Sequence, residues 1–535
     1  MPYLLHHLIH RSAILTPDAP ALLCKGHTLS YGQLAVFVNQ VAGGLRRLPV
    51  AKGARVAIYL PKQFETVCAM FGASAAGGVF VPVNPLLKPE QVGHILQDCS
   101  THALITSPDR AKLLRPVLDQ CQHLRHVIIV GECDVEIADA AAYQCIAWRE
   151  LLDAPLTDDD GPCIDPCIDM DVAAILYTSG STGRPKGVVL SHRNMLAGAR
   201  SVATYLRNTA SDRILAVLPF SFDYGLSQLT TAFSVGASVV LMDYLLPADV
   251  TRALGRYGIT GLAAVPPLWN QLAALDWPEQ AVRSLRYITN SGGAMPLETT
   301  RRLRTLLPDT DVYLMYGLTE AFRSTYLPPA EVDERPDSIG KAIPNAEILV
   351  VRPDGTECDA DEPGELVHRG ALVALGYWGD PDKTAARFKP APGQPPELPH
   401  PELAVWSGDQ VRRDRDGFLY FIGRTDEQIK TSGYRVSPGE IEEVAYQLPD
   451  IEQAVAFGVP HPQLGSGIVL LFQADSPEID TEAVRAHCRA HLPTYMVPGL
   501  IERIDDIPRN PNGKLDRKSL STRYHAAFAD PSPAQ

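Results

Sequence analysis

Short runs of apolar residues alternate along the chain with longer segments in which apolar positions recur at helical spacing. Runs of this length bounded by polar residues are typical of buried strands. Strands that alternate with helices predict an α/β fold with layered, mixed or parallel sheets. The clearest predicted strands are RVAIYL (55–60), HALIT (102–106), HVIIV (126–130), RILAVL (213–218), ASVVLM (237–242), LRYIT (285–289) and DVYLMY (311–316).

The pattern restarts after about residue 424, where a second, compact set of strand and helix signals begins. We therefore predict a large N-terminal domain of layered α/β sheets over residues 1–424 and a small C-terminal α+β domain over residues 425–522. Residues 523–535 are rich in Ala, Pro and Ser, and we predict a disordered tail there.

Composition narrows the class of protein. The chain has 535 residues, is 45% hydrophobic and 21% charged, and carries a net charge of −14. An acidic protein of this kind is a poor match for a nucleic-acid backbone or an anionic membrane. No apolar run reaches the roughly 18 residues of a membrane span, the N-terminus lacks the pattern of a signal peptide, and the ten cysteines are scattered. We expect reduced cysteines and a cytoplasmic location, with neither a membrane span nor a nucleic-acid partner.

The stretch YTSGSTGRPKG (177–187) lies between two apolar runs and combines three glycines with hydroxyl and cationic side chains. It is either a linker or a loop that holds an anion. Glycines allow several backbone N–H groups to converge on one anion, and the hydroxyls and Lys186 add donors and charge. The loop lacks the Gly-Lys-Ser/Thr order of a Walker loop and the G-x-G-x-x-G dinucleotide pattern. It predicts a site for nucleotide phosphates.

The sequence resembles the AMP-forming adenylate ligases, which include acyl-CoA synthetases, amino-acid adenylation enzymes and luciferases. The resemblance covers residues 1–522 and is closest to bacterial acyl-CoA ligases associated with exosortase systems. Besides the phosphate loop, four stretches occur in the family's order: YGLTE (316–320), SGD (407–409), GRTDEQIKTSGYRVSPGEIEE (423–443) and PRNPNGKLDR (508–517).

The resemblance implies a reaction in two steps. A carboxylate attacks the α-phosphorus of ATP to give an acyl-adenylate and pyrophosphate, and a thiol then takes the acyl group and releases AMP. Both steps build negative charge on oxygen atoms, so fixed cations and N–H donors are the main catalytic need. The implied cofactors are ATP, Mg²⁺ and CoA or the phosphopantetheine of a carrier protein. The implied partners are a small-molecule carboxylic acid and an acyl or peptidyl carrier protein.

Carried onto this sequence, the family's motifs imply three catalytic residues: Lys514, Thr178 and Glu320. They imply nucleotide contacts from Thr178, Ser179, Gly180, Ser181, Thr182, Gly183, Lys186, Gly292, Gly293, Ala294, Tyr316, Gly317, Thr319, Asp409, Arg424 and Lys514. They imply an acyl pocket that includes Phe222, Asp223, Gly292 and Gly317.

The resemblance also gives these residues roles. Lys514 bridges the α-phosphate and the attacking carboxylate, a task that suits a point charge on a long stem. Glu320 binds Mg²⁺, a hard cation that prefers oxygen ligands. Thr319 donates to the α-phosphate, Tyr316 lies against adenine, and Asp409 accepts from the ribose hydroxyls.

Three further residues are implied to serve the second step. Asp426 is the hinge about which the small domain swings, so that one of its faces serves adenylation and the other thiol transfer. Gly433 leaves room for a phosphopantetheine arm in the thiol channel, and Arg435 meets a phosphate.

The acid and the thiol acceptor are left open. The main interpretation is a CoA ligase for a fatty or other organic acid, and the alternative is an amino-acid ligase that loads a carrier protein. Asp223 bears on this choice, because amino-acid-activating members have a Phe-Asp pair whose aspartate binds the substrate ammonium. Asp223 could instead be the N-cap of a helix over DYGLSQLTTAF. A nucleotide-binding regulator without catalysis is the third interpretation.

Overall fold

The computed structural model describes residues 2–48, 50–132, 143–153, 167–178, 185–424, 428–448, 451–474, 479–505, 507–508 and 517–529, with only the backbone of residues 424 and 452. The strands are β1 Pro20–Cys24, β2 His27–Ser30, β3 Arg55–Tyr59, β4 Val79–Pro82, β5 Ala103–Thr106, β6 His126–Ile129, β7 Gln144–Ala147, β8 Val172–Thr178, β9 Lys186–Ser191, β10 Arg213–Ala216, β11 Ser238–Leu241, β12 Gly261–Ala264, β13 Tyr287–Asn290, β14 Asp311–Tyr316, β15 Thr325–Leu327, β16 Ser338–Ala342, β17 Ala346–Val351, β18 Gly364–Gly370, β19 Gly376–Tyr377, β20 Phe388–Pro390, β21 Leu403–Arg413, β22 Leu419–Arg424, β23 Ile429–Thr431, β24 Tyr434–Val436, β25 Ile451–His461, β26 Gly465–Ala474 and β27 Leu500–Arg503.

The helices are α1 His7–Leu15, α2 Tyr31–Arg47, α3 Phe64–Ala75, α4 Pro89–Asp98, α5 Pro108–Leu118, α6 Trp148–Asp153, α7 His192–Tyr205, α8 Asp223–Val235, α9 Pro247–Tyr257, α10 Pro266–Ala273, α11 Glu279–Ser284, α12 Leu297–Leu306, α13 Pro381–Arg387, α14 Pro438–Ala445, α15 Thr481–His491 and α16 Arg517–Arg523. All seven runs predicted as strands contain strands, so the α/β prediction is confirmed. Among the described residues, no helix has the length and apolar character needed to cross a membrane.

The strands form three sheets in the described part of the chain. The first sheet has the order β19-β9-β8-β4-β3-β5-β6-β7. The second has the order β17-β18-β21-β22-β16-β15-β14-β13-β12-β10-β11-β1-β2, with β20 paired to β21. The third, β24-β23-β26-β25 with β27 beside β26, contains only strands that follow residue 428.

Parallel pairing in the second sheet brings several loops to one edge. Strands β10, β12, β13 and β14 are parallel neighbours, so their carboxyl ends lie side by side. Ligands of open α/β sheets bind outside such carboxyl ends. The loops that follow β13 and β14, and the start of α8 after β10, are therefore the natural place for a site.

Local sequence signals account for several helix boundaries. Ser30 is the N-cap of α2, and Ser191 is the N-cap of α7. Each belongs to a capping box, in which the serine side chain accepts a hydrogen bond from the backbone N–H three residues later. Helix α8 ends at Gly236, which has a φ of 78°. A glycine adopts this left-handed conformation without the strain that a Cβ atom would cause.

Residues at the start of the predicted tail pack on the third sheet. Tyr524 and Phe528 contact the apolar cluster between this sheet and α16. Phe528 also lies so close to Gly467 and Gly499 that a Cβ atom on either glycine would meet its ring. Ordered packing therefore continues past residue 523 to residue 528, beyond the predicted start of the tail.

Candidate functional site

A cavity lies between the strand ends of the second sheet and the β23–β24 turn of the third sheet. Its walls combine predicted nucleotide, acyl-pocket and thiol-channel residues from segments far apart in sequence. The predicted site residues that line it are Thr178, Phe222, Asp223, Gly292, Gly317, Thr319, Gly433 and Arg435.

The two ends of the predicted phosphate loop are held by a strand pair. Strands β8 and β9 are antiparallel, and Thr178 is paired with Lys186 in their register. The Thr178 hydroxyl is buried and has no hydrogen-bond partner among the described residues. Residues 179–184 lie outside the described residues, so the roles of Ser179, Gly180, Ser181, Thr182 and Gly183 stay predictions.

Glu320 is the centre of a buried polar cluster. Its Oε1 accepts hydrogen bonds from Tyr377 (2.7 Å) and from Lys186 (3.2 Å), while Oε2 has no partner among the described residues. Burial alone would raise the pKa of this carboxyl, but Lys186, Arg435 and Arg387 outweigh burial and hold the pKa well below its usual range. Glu320 is therefore an ionised carboxylate with one oxygen still able to bind a cation.

The same cluster sets the contacts and the pKa of the Lys186 ammonium. Its ammonium donates to the Tyr377 hydroxyl at 2.7 Å and also lies over the Tyr377 ring, 4.0 Å from the ring centre. Burial lowers the pKa of Lys186, and the Glu320 carboxylate partly opposes that effect. A desolvated cation beside the phosphate loop interacts with an anion more strongly than an exposed lysine would.

Tyr316 and Asp409, the predicted adenine and ribose contacts, are hydrogen-bonded to each other: the Tyr316 hydroxyl donates to Asp409 Oδ2. Asp409 is fully buried in β21, and its backbone N–H donates to the Ser407 hydroxyl. The backbone of Asp409 pairs with that of Arg424 across β21 and β22. The SGD segment is thus held by hydrogen bonds within the protein.

The structure corrects the N-cap interpretation of Asp223. The N-cap of α8 is Phe222, and no side chain caps the helix; Asp223 is its first helical residue and faces the cavity. Its carboxylate accepts from Thr319 Oγ1 at 3.2 Å and lies 3.8 Å from the guanidinium of Arg323. Burial raises the pKa of Asp223, and Arg323 and Thr319 oppose the rise. An internal cation therefore already faces this carboxylate.

The β23–β24 turn reaches the adenine-loop side of the cavity. A Cβ atom on Gly292 would lie 3.4 Å from the Gly433 carbonyl oxygen. Gly433 itself has a φ of 81°, and a Cβ atom there would lie 2.7–3.0 Å from the side chain of Val265. The next two residues do not line the cavity: Gly293 packs on Pro266, and Ala294 is exposed.

One end of the cavity lies between α4 and the C-terminal domain. Tyr434 and Tyr495 stack along it, with ring centres 3.8 Å apart, and Glu440 from α14 lines it as well. Glu440 Oε1 accepts from Gln91 of α4 at 3.5 Å, and Oε2 is buried without a partner among the described residues. Burial raises the pKa of Glu440 to about 8.

The contact between α4 and α14 should therefore weaken as the pH rises. Glu440 has a pKa near its ordinary 4.5 when exposed and of about 8 when buried. The contact is strongest below the lower value, loses about 1.4 kcal/mol per pH unit between the two, and changes no further above the upper value. The protection of α4 and α14 against hydrogen exchange, relative to the intrinsic rate at each pH, should fall across this range.

Two variants on the same helix separate this effect from general pH effects. Glu440→Gln should flatten the dependence, whereas Glu443→Gln should change it much less, because Glu443 is exposed and its charge raises the pKa of Glu440 less than burial does. Tyr495 also packs near Glu440, but burial raises the pKa of Tyr495 well above its usual value, so it stays protonated across this range. An unchanged pH dependence in Glu440→Gln would assign it to another group.

Sequence reasoning missed Tyr377, Arg323 and Glu440. Tyr377 reaches Glu320 because β19 pairs with β9, a strand about 190 residues earlier. Arg323 follows the YGLTE motif by three residues, a proximity that could have marked it. Asp426, Lys514 and the side chain of Arg424 lie outside the described residues, and their predicted roles stay predictions. Among the described residues, no group of three or more His, Cys, Asp or Glu side chains could hold a metal ion.

Comparison with known proteins identifies relatives over nearly the whole chain. The chain is 32% identical to the Dimodular nonribosomal peptide synthase of Bacillus subtilis (strain 168), over 99% of this chain and 21% of the synthase. The chain thus spans about a fifth of the length of this relative, and less of three other peptide synthases that it matches. It is 29% identical to the Long-chain-fatty-acid–CoA ligase of Escherichia coli O157:H7, over 96% of this chain and 93% of the ligase.

Among solved structures, a double mutant of o-succinylbenzoate CoA synthetase (MenE) from Bacillus subtilis, bound with a product analogue, superposes with a TM-score of 0.81. It is 26% identical, with 96% of this chain and 98% of that chain covered. The model of the AMP-binding enzyme family matches residues 9–378, and that of the AMP-binding enzyme C-terminal domain matches residues 440–514. Because the first match covers more than half of the sequence, the chain belongs to the AMP-binding enzyme family.

Proposed function

We propose that this protein is an AMP-forming acid–thiol ligase, which converts a carboxylic acid to an acyl-adenylate with ATP and then transfers the acyl group to the thiol of CoA. The observation that carries the proposal is the shared cavity. Thr178, Asp223, Gly292 and Gly433, which the family resemblance assigns to phosphate, acyl group, adenine and thiol, all line it. A site that performs both steps needs these groups around one acyl carbon.

The cluster around Glu320 suits the phosphate side of the first step. An ionised, buried carboxylate with one oxygen without a partner among the described residues fits the donor set that Mg²⁺ prefers. When bound, Mg²⁺ would neutralise charge on the phosphate oxygens. Lys186 and Tyr377 orient the carboxylate through Oε1, so Oε2 is the oxygen that would bind the ion.

Four further roles are proposed from the family resemblance. Lys514 stabilises the charge that develops between carboxylate and α-phosphate, and residues 179–183 hold the phosphates. Asp426 is the hinge, and Arg424 adds a ribose or phosphate contact. The buried pair of Tyr316 and Asp409 supports the proposed adenine and ribose contacts, because both groups are fixed on the strands β14 and β21.

The thiol step is supported by the position of the C-terminal domain. The β23–β24 turn lies against the cavity, and the Tyr434–Tyr495 stack lines the end of the cavity between α4 and the C-terminal domain. Aromatic rings at this end suit the slender pantetheine arm of CoA. We also propose a cytoplasmic location, where ATP and CoA are available and where cysteines stay reduced.

A second candidate function is an amino-acid ligase that loads the phosphopantetheine of a carrier protein. The similarity to peptide synthases favours it. The Arg323 guanidinium opposes it, because it lies 3.8 Å from Asp223, where a substrate ammonium would have to bind. Two cations at one buried carboxylate repel each other strongly.

Acid-dependent exchange of pyrophosphate into ATP tests the proposal. With Mg²⁺, purified protein should exchange pyrophosphate only when a suitable carboxylic acid is present, and should then form a thioester with CoA. Thioester formation on a phosphopantetheinylated carrier protein, and not on CoA, would favour the second candidate. No exchange with any acid in a broad panel, together with ATP binding, would favour a regulator that binds nucleotide without catalysis.

A further inference from the structure

The guanidinium of Arg323 is buried in the acyl side of the site with most of its donors unused. The residue is 2% exposed, and Nη1 donates to Ser291 Oγ at 2.9 Å. Nε and Nη2 make no hydrogen bond to any described residue. Asp223 lies 3.8 Å from Nη2, which is beyond hydrogen-bonding distance.

The unused donors share one edge of the guanidinium. Nε–H and Nη2–H point in parallel, and this edge matches the two oxygens of a carboxylate. A buried donor without an acceptor costs free energy, and a charged donor costs more than a neutral one. An oxygen-bearing group brought by the substrate would supply both acceptors.

The surroundings of Arg323 are polar on the side away from the nucleotide. Arg323 also lines a second, smaller cavity, whose wall includes Ser227, Gln228, Thr231 and Thr289. The Tyr224 ring lies 4.7 Å beneath the guanidinium, and the Tyr224 hydroxyl is bonded to Thr289 at 2.5 Å. These hydroxyl and amide groups bond to one another or to the backbone of α8, so the wall beneath Arg323 is held by its own hydrogen bonds.

We propose that Arg323 selects an acid whose acyl part carries a second carboxylate, and that it excludes acids with an α-ammonium. This inference rests on the proposed ligase function and specifies its substrate class. The second carboxylate binds the Nε–Nη2 edge, and Asp223, held by Thr319, is the protein's own counter-ion, 3.8 Å from Nη2. Asp223 therefore serves as the counter-ion of Arg323, not as a receptor for a substrate amine.

Pyrophosphate exchange with matched acids tests the inference. The panel contains short unbranched diacids, the monoacids of the same chain lengths and the corresponding α-amino monoacids. The wild-type protein should prefer one diacid over its monoacid by roughly tenfold to a hundredfold in kcat/KM, the usual range for a hydrogen-bonded charged contact. It should not use the amino acids.

Arg323→Met removes the charge and keeps an unbranched side chain that reaches about as far as the Nε position. The ratio of diacid to monoacid kcat/KM should fall by at least about tenfold. A purely structural role would lower both rates and leave the ratio unchanged. The double variant Asp223→Asn/Arg323→Met removes both charges, so it tests the same ratio if the single variant fails to fold with an unpaired aspartate.

Arg286→Met is the matched control. Arg286 also pairs with a buried aspartate, Asp212 at 2.8 Å, and lies over a tyrosine ring at 4.8 Å, but it does not line either cavity. It should lower stability and leave the ratio intact. Wild-type exchange that is equal for diacids and monoacids, with no change of ratio in Arg323→Met, overturns the inference while the ligase function stands. Absence of exchange with every acid overturns the ligase function itself.

Discussion

Replacing Lys514 with alanine should lower the rate of adenylate formation by about 10²–10³-fold. The proposed function places a positive charge between two oxygens that become more negative in the transition state. Loss of one such fixed charge typically costs about 3–4 kcal/mol of transition-state stabilisation. The rate is measured as acid-dependent pyrophosphate exchange, and the melting temperature of the variant should stay close to that of the wild type.

The second step provides the internal control for this variant. When synthetic acyl-adenylate is supplied with CoA, the Lys514→Ala protein should form thioester at a rate close to that of the wild type, because the charge is needed only for the first step. Lys518→Ala, in the described helix α16 of the same domain, is a matched loss of one lysine and should change neither step. Normal exchange in Lys514→Ala would remove this lysine from the mechanism.

Replacing Gly433 with alanine should impair thioester formation by roughly tenfold or more and leave adenylate formation much less affected. A Cβ atom at this position would lie 2.7–3.0 Å from Val265, so the β23–β24 turn could no longer approach the cavity as it does here. Overpacking of this kind costs about 1–3 kcal/mol. Pyrophosphate exchange and thioester formation are followed separately, and leucine at the same position should enlarge the difference.

Gly465→Ala separates the close approach from backbone strain. Gly465 lies in the same domain and has a φ of 82°, almost the value at Gly433, but the atom nearest to its added Cβ is 3.6 Å away. The two alanines therefore cause the same backbone strain, and only the one at Gly433 meets Val265. Equal losses of both steps in Gly433→Ala, or the same loss in Gly465→Ala, would show that the glycine serves the fold and not the channel.

The apolar pattern was sufficient to predict the elements but not their side-chain pairs. The run DVYLMY became β14 and the segment from Asp223 became α8, because burial and periodicity act locally. The pairing of Asp223 with Arg323 depends on two loops, 100 residues apart, meeting at one sheet edge. Such a pairing is set by strand order, which a single sequence does not contain.

The same reason explains which site residues were found. Glu320 and Gly433 lie in motifs whose order and spacing carried the family resemblance, and the structure brings Glu320 beside Lys186 and Gly433 beside Gly292. Tyr377 lies outside the quoted motifs, and Glu440 lies within residues 423–443 but received no role from that motif. Their positions follow from the pairing of β19 with β9 and from the docking of α14 on α4, which are tertiary contacts.

The contact between Gly292 and Gly433 makes the C-terminal domain part of the wall around the reacting groups. A ligand that fills the cavity therefore touches both domains. Its affinity depends on the position of the C-terminal domain. By thermodynamic reciprocity, an occupant that binds better with the turn in place must hold the turn there by the same free energy. A ligand in the cavity can in this way bias the position of the C-terminal domain without touching the rest of that domain.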